Sequence, residues 1–280
     1  MKIDMQPYTK DFYNTYKEGM RRSAEEVVPL VIEMIRPKRV VDVGCGIGAW
    51  LSVFKECGVE EILGVDGDYV EKEMLQIPEE QFFSFDLKNP LRMDRQFDLV
   101  VSLETAEHLP SECAGTFVDS LTRLGPVVLF SAAIPFQGGT NHINEQWPDY
   151  WAKYFEERGY VAIDCIRKKI WQNYDVKSEY VQNTFMFGRR DYVEGHPLLK
   201  KEFENTNISQ LSIVHPRQFL HHARLADLAD FYSDPKNISL KSLLLALPTL
   251  MRRALMYRIV NSSCKCNTVS VQRKPLSASG

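Results

Sequence analysis

A short β-branched run, Arg39-Val40-Val41-Asp42-Val43, stops at three glycines spaced two apart: Gly44, Gly46 and Gly48. Glycine takes left-handed backbone angles without a Cβ clash and lets a ligand come close to the chain. Helical spacing then resumes over residues 49–57 and ends at Gly58. A strand, a glycine turn and a helix in that order open an α/β unit whose first turn faces a ligand.

The rest of the chain repeats the alternation. Residues 8–36 read as a helix: Ser23 and Glu26 fit a capping box, Val27, Leu30, Val31, Met34 and Ile35 recur at helical spacing, and Pro37 closes it. Further strands are expected at 62–66, 82–86, 97–102, 127–131, 160–166 and 184–187, with helices at 117–123 and 147–158. Strands alternating with helices of about ten residues imply a parallel sheet covered on both faces. Ligands on such sheets sit beyond the carboxyl ends of the strands, at the switch in strand order. The residues just after each strand therefore carry the functional argument.

Composition sets the outer limits. The 280 residues are 44% hydrophobic and 25% charged, as in ordinary soluble globular proteins. The chain does not begin with an apolar run, so no secretion signal is expected. Six cysteines are scattered through a chain large enough to need no staples, which points to a reduced, cytoplasmic protein. Cys264 and Cys266 lack the second pair that a structural zinc site needs. The net charge of −3 conceals an asymmetry: residues 240–280 hold seven basic residues and no acid, against 27 basic and 37 acidic before them. A helix over 240–260, apolar at Leu240, Leu243, Leu244, Leu247 and Met251 with Arg252, Arg253 and Arg258 among them, suits contact with a partner, its own domain or an anionic membrane surface. Four basic residues argue against a membrane span there. The tail from 261 is expected to be disordered.

The acids at the strand ends differ in chemistry. Gly44, Gly46 and Ala49 also fit the G-x-G-x-x-A turn of nicotinamide enzymes. Asp42, two residues before the first glycine, sits badly beside a pyrophosphate but suits an ammonium or sulfonium group. Asp66 ends the second strand, where an acid accepts hydrogen bonds from ribose hydroxyls in either ligand class. Asp86, after Phe85, is placed to take an adenine amino group.

The D-x-G-x-G-x-G turn, the strand ending in Asp66, Phe85-Asp86-Leu87 and Phe97-Asp98-Leu99-Val100 together resemble the class I S-adenosylmethionine-dependent methyltransferases over residues 35–190. The resemblance implies a Rossmann-like seven-stranded sheet, its last strand antiparallel, flanked by helices, here with a helical C-terminal extension. It implies S-adenosylmethionine held by Asp42, Gly44, Cys45, Gly46 and Gly48 at the methionine end, Asp66 and Gly67 at the ribose, and Phe85, Asp86 and Leu87 at the adenine. Leu103 and Glu104 complete the set. The expected organisation is an amino-terminal lid at 1–36, the core at 37–190, the helical extension at 191–260 and the tail at 261–280.

Two polar stretches follow neighbouring central strands: Glu104-Thr105-Ala106-Glu107-His108, and residues 135–147 with His142. They should face each other across the pocket. Methyl transfer to oxygen needs alignment and a proton acceptor, and a positioned base contributes roughly 10²–10⁴-fold. His108 is the first choice as base, His142 the second, with Glu104 beside them. Glu104, Glu107, His108 and His142 also resemble the metal site of RNA 3′-terminal 2′-O-methyltransferases, which implies Mg²⁺ or Mn²⁺ on a terminal diol. The same E-x-x-E-H stretch is similar to one in quinone-type small-molecule methyltransferases.

Asn144 or Glu145 can instead be read as a cap for the helix at Trp147-Pro148. The density of His, Asn, Glu and Gln there exceeds what a cap needs and suits a polyol. Tyr8, Phe12, Tyr13, Tyr16 and Arg21-Arg22 form the expected lid, and Trp171, Tyr174 and Tyr180 can extend the acceptor pocket. His215, His221 and His222 read as surface residues. The favoured function is methyl transfer to a hydroxyl of a small molecule or glycan. An RNA acceptor is disfavoured by the acidic core, and a binding scaffold without turnover by the intact acids.

Overall fold

The computed structural model describes residues 10–233 together with Leu247 and Pro248. Seven strands form one sheet: β1 (Arg39–Val43), β2 (Glu61–Asp66), β3 (Phe82–Ser84), β4 (Leu99–Leu103), β5 (Val127–Ser131), β6 (Tyr160–Ile163) and β7 (Phe185–Arg189). Their order is β3-β2-β1-β4-β5-β7-β6. β7 runs antiparallel to both neighbours and the remaining pairings are parallel. The chain leaves β1 toward β2 and β3, then returns to place β4 on the other side of β1. That reversal opens a crevice at the carboxyl ends of β1 and β4.

Helices α1 (Lys10–Ile35), α2 (Ala49–Glu56), α3 (Ala114–Leu124), α4 (Pro148–Glu156), α5 (Ile166–Ile170), α6 (Ser178–Asn183), α7 (Arg190–Glu194), α8 (Pro197–Glu204) and α9 (Pro216–Ser233) complete the elements. The inner strands bury both faces, so successive residues feed different cores. Val40, Leu99, Val101 and Leu129 join α1 and α2 in one apolar cluster; Val41, Val100, Val128 and Phe130 join α3 and α4 in the other. On the second face Phe155 stacks on Phe187 with ring centroids 3.9 Å apart. Burying a ring of that size contributes about 1.5–3 kcal/mol.

One compact unit extends to His222 and takes in both the amino-terminal helix and α7–α8; the second begins at Ala223. Several expected boundaries shift. The third strand stops at Ser84, two residues short of Asp86, β6 stops at Ile163, and β4 runs one residue further than expected, to Leu103. Ser23 caps nothing. It lies within α1, donates to the Gly19 carbonyl at 2.8 Å and accepts from the Lys177 amide at 3.0 Å, tying α1 to the segment before α6. A buried hydroxyl with a long-range partner overrides the local capping pattern. The expected helix at 240–260, apart from Leu247 and Pro248, and the tail at 261–280 lie outside the described residues, as do the lid side chains Tyr8, Phe12, Tyr13 and Tyr16. No helix among the described residues is long and apolar enough to cross a membrane.

Candidate active site

The turn after β1 depends on its glycines. Gly44, Gly46 and Gly48 have φ of 88°, 53° and 81°. A Cβ on Gly44 would stand 2.2 Å from the Thr105 Oγ1, so the turn and the segment after β4 pack backbone against side chain. Asp66 closes the other wall. Its carboxylate accepts from the Gly46 amide at 2.6 Å, the Gly67 amide at 2.7 Å and the Tyr69 hydroxyl. Burial pushes both Asp42 and Asp66 above the usual carboxylate range, and Asp66 adds to the rise at Asp42. Cys45, Leu103 and Leu87 are buried around this turn. Phe85 continues from β3 through its amide, which donates to the Asp66 carbonyl at 2.7 Å. Asp86 is exposed on the following turn, where its side chain accepts from the Lys88 amide at 3.1 Å.

This set suits a ligand carrying ribose hydroxyls and a cationic end. Two acids end adjoining strands, and the backbone between them is kept bare by glycine.

Beyond β4 the chain makes one tight turn, Ala106–His108, rather than a continuing helix. Glu104 sits ahead of it at φ 50°. The Glu104 carboxylate accepts from Gln137 Nε2 at 2.7 Å and Asn183 Nδ2 at 3.0 Å, while Asn183 also donates to Gln137 Oε1 at 2.8 Å. Three strand ends are thereby tied together. Of the four expected metal ligands, the structure brings together three: ligand atoms of Glu107, His108 and His142 all lie within 4.8 Å of one another. Glu104 stands apart because its oxygens serve the two amides.

The trio has an unusual electrostatic state. Glu107 is 0% exposed; no side chain hydrogen-bonds its carboxylate, and the backbone amides of Glu107 and Ala133 offset its burial only weakly, without well-formed hydrogen bonds. Burial, then the Glu104 charge, raises its pKa well above the ordinary value. The His108 and His142 rings meet edge to face with centroids 4.8 Å apart. Burial and the neighbouring His142 pull His108 down to about 4. The imidazole is therefore neutral near pH 7, but too weakly basic to be a well-matched proton acceptor.

The loop after β5 is built to present His142. Phe136, Gly138, Gly139 and Asn141 all have positive φ. Glu145 braces it: its carboxylate accepts from the Phe136 amide at 2.8 Å and the Gly138 amide at 2.7 Å, and lies 3.0 Å from His142 Nδ1. The Glu107 carbonyl accepts from the Ile143 and Asn144 amides, joining this loop to the turn after β4. Neither Asn144 nor Glu145 caps α4, whose first turn has no side-chain cap. Sequence reasoning missed Gln137 and Asn183 as partners of Glu104; the one signal was a polar Asn183-Thr184 pair at the entry to an apolar strand.

Other expectations resolve individually. Arg21 pairs with Glu25 at 3.0 Å and Glu56 at 2.7 Å, anchoring α1 to α2. Tyr180 is buried edge-on against Trp50, while Tyr174 is exposed beneath Arg217. His215 is buried rather than superficial. Its Nε2 lies 2.9 Å from the Trp171 carbonyl and its Nδ1 accepts from the Arg217 amide, so both ring nitrogens are used inside the fold. Cys45, Cys57, Cys113 and Cys165 are free thiols.

A family model described as a methyltransferase domain matches residues 16–156, just over half of the chain. No curated protein matches the sequence significantly. Among solved structures the chain is similar to an O-methyltransferase family protein from Burkholderia thailandensis (13% identity, TM-score 0.48), covering 65% of this chain and 60% of that one. It is also similar to the methyltransferase domain of the bacterial protein CtHen1-C (22%, TM-score 0.43, 60% and 96%). A third is magnesium protoporphyrin IX methyltransferase from Synechocystis PCC 6803 with bound S-adenosylhomocysteine (17%, TM-score 0.45, 62% and 85%).

Proposed function

We propose that this chain, which belongs to the class I methyltransferase-domain family, transfers a methyl group from S-adenosylmethionine to a hydroxyl of a polyol, either a small molecule or a glycan, beside a divalent cation. The observation that carries the acceptor half is Glu107: a fully buried carboxylate without a well-formed hydrogen bond, set against two imidazoles. An uncompensated buried carboxylate costs several kcal/mol, and a cation removes that cost. Glu107, His108 and His142 would hold it, a carboxylate-imidazole set suited to Mn²⁺ or Mg²⁺. Bound there, such an ion would bring the pKa of a coordinated hydroxyl down toward neutrality.

S-adenosylmethionine supplies a methyl group on a sulfonium, activated for in-line displacement. Asp66 and the Gly46 and Gly67 amides would position its ribose, and Asp42 would face its cationic end. Glu104 serves this alignment indirectly by locking the ends of β4, β5 and β7 through Gln137 and Asn183. His108 acts in this reading as a ligand rather than as the base, in keeping with its neutral imidazole. Glu145 fixes the ring of His142 through Nδ1, leaving Nε2 for the site.

Transfer of tritiated methyl from S-adenosylmethionine to a panel of sugars, glycans, catechols and RNA 3′ ends, with EDTA or Mn²⁺, tests the reading. Incorporation into a vicinal diol that EDTA abolishes and Mn²⁺ restores is expected. Full activity in EDTA would remove the cation from the account, and incorporation into RNA alone would replace the proposed acceptor.

A further inference from the structure

Beyond the carboxyl end of β6, an edge strand parallel to β5, lies a second cavity of about 470 Å³. Arg167 forms its floor. This guanidinium is 2% exposed and spends all five N–H donors inside the fold: two on the Asp164 carboxylate at 2.9 and 2.7 Å, three on the Gln182, Leu211 and Gln210 carbonyls. It also stacks on Phe185 at 4.1 Å. Arg167 is therefore no ligand-binding cation; it pins three stretches of chain into a rigid base. Lys168 closes one side by donating to the Asn205 carbonyl at 2.9 Å.

What faces the cavity is different. Gln172, Asn205 and Gln210 line it with side-chain amides that have no hydrogen-bond partner within the described fold, and Trp171 contributes a half-buried indole held edge-on by His215. A rigid aromatic surface among free carboxamides offers C–H contact to a ring face and paired donors and acceptors to adjacent hydroxyls. That is the chemistry of a saccharide, and the Lys168 ammonium, with one of its three donors on the Asn205 carbonyl, keeps two for the same hydroxyls.

The cavity is also linked to the catalytic side through α6. Gln182 and Asn183 are consecutive in α6. Gln182 bonds to Arg167, Ile213 and His215 on the cavity side, whereas Asn183 bonds to Glu104 and Gln137 on the catalytic side. From this juxtaposition we infer that the Trp171 cavity is a saccharide-binding subsite, taking a non-reacting sugar unit of the acceptor whose hydroxyl is methylated next door. The inference rests on the proposed polyol acceptor and makes it an oligosaccharide or a glycoside.

Probing a glycan array with the fluorescently labelled full chain tests it. Retention on at least one glycan is expected, lost at least tenfold in Trp171→Ala and in the exposed pair Asn205→Ala/Gln210→Ala, the latter guarding against misfolding from loss of the indole. Calorimetric titration of the same proteins with S-adenosylhomocysteine should give wild-type affinity. No glycan retained by the wild type, or equal retention by the Asn205→Ala/Gln210→Ala variant, overturns the subsite. Failure of S-adenosylhomocysteine to bind the wild type would instead overturn the methyltransferase reading.

Discussion

The two halves of the crevice solve opposite problems with similar residues. On the donor side Asp66 is buried but supported, with two backbone amides and a tyrosine hydroxyl on its oxygens and acceptor capacity left for a ligand. On the acceptor side Glu107 is equally buried and has only the weak help of two backbone amides, with no well-formed hydrogen bond. A closed polar network rigidifies a site in advance of its ligand, whereas an open one carries a penalty that only a ligand removes. The donor half is thus preorganised by the chain itself, and the acceptor half is completed from outside.

The largest effect that can break this contrast is on turnover. Glu107→Gln should lower the methyl-transfer rate by at least ~10²-fold, since even outer-shell changes cost 10–100-fold in metal sites, while S-adenosylhomocysteine affinity by calorimetry stays unchanged. A parallel loss of that affinity would mean the halves are not separable. Asp66→Ala should do the converse. Removing the acceptor of ribose hydroxyls from a buried position weakens S-adenosylhomocysteine by ~10–100-fold, with Mn²⁺ binding intact.

Glu145→Gln sharpens the comparison on the acceptor side alone. It keeps an oxygen for the Phe136 or Gly138 amide but loses the charge facing His142 Nδ1, and Mn²⁺ affinity should fall ~10-fold. Gly139→Ala should produce a similar but smaller loss: its Cβ would stand 2.3 Å from His142 Nε2, at φ 150°. The smallest effect is on stability. In EDTA, Glu107→Gln removes a buried, unpaired acid, and should raise the melting temperature by ~2–6 °C if ~1–2 kcal/mol is recovered. An unchanged or lower melting temperature would show that Glu107 is already compensated.

The same contrast explains how much could be read beforehand. The glycine turn, Asp42 and Asp66 were legible because a local motif dictates them, and the strand alternation brought the segments of His108 and His142 together as expected. Glu104 was misplaced among the ligands because its partners, Gln137 and Asn183, lie 33 and 79 residues away in sequence. Ser23 and His215 failed for the same reason: a capping pattern and a histidine-proline pair are local signals, and both were overridden by distant partners at Lys177 and Trp171. Glu145 could be read as a cap because the sequence does not reveal that its loop folds back through four positive-φ residues. Local backbone chemistry can be read along the chain; burial and long-range pairing cannot.

The most direct test of the central claim is titration of the metal-free protein with Mn²⁺ in the presence of S-adenosylhomocysteine, following free ion by electron paramagnetic resonance, for the wild type and Glu107→Gln. The account predicts one saturable site in the wild type and its loss in the variant, both proteins binding S-adenosylhomocysteine alike. No site in the wild type, or the same site in both, would contradict it.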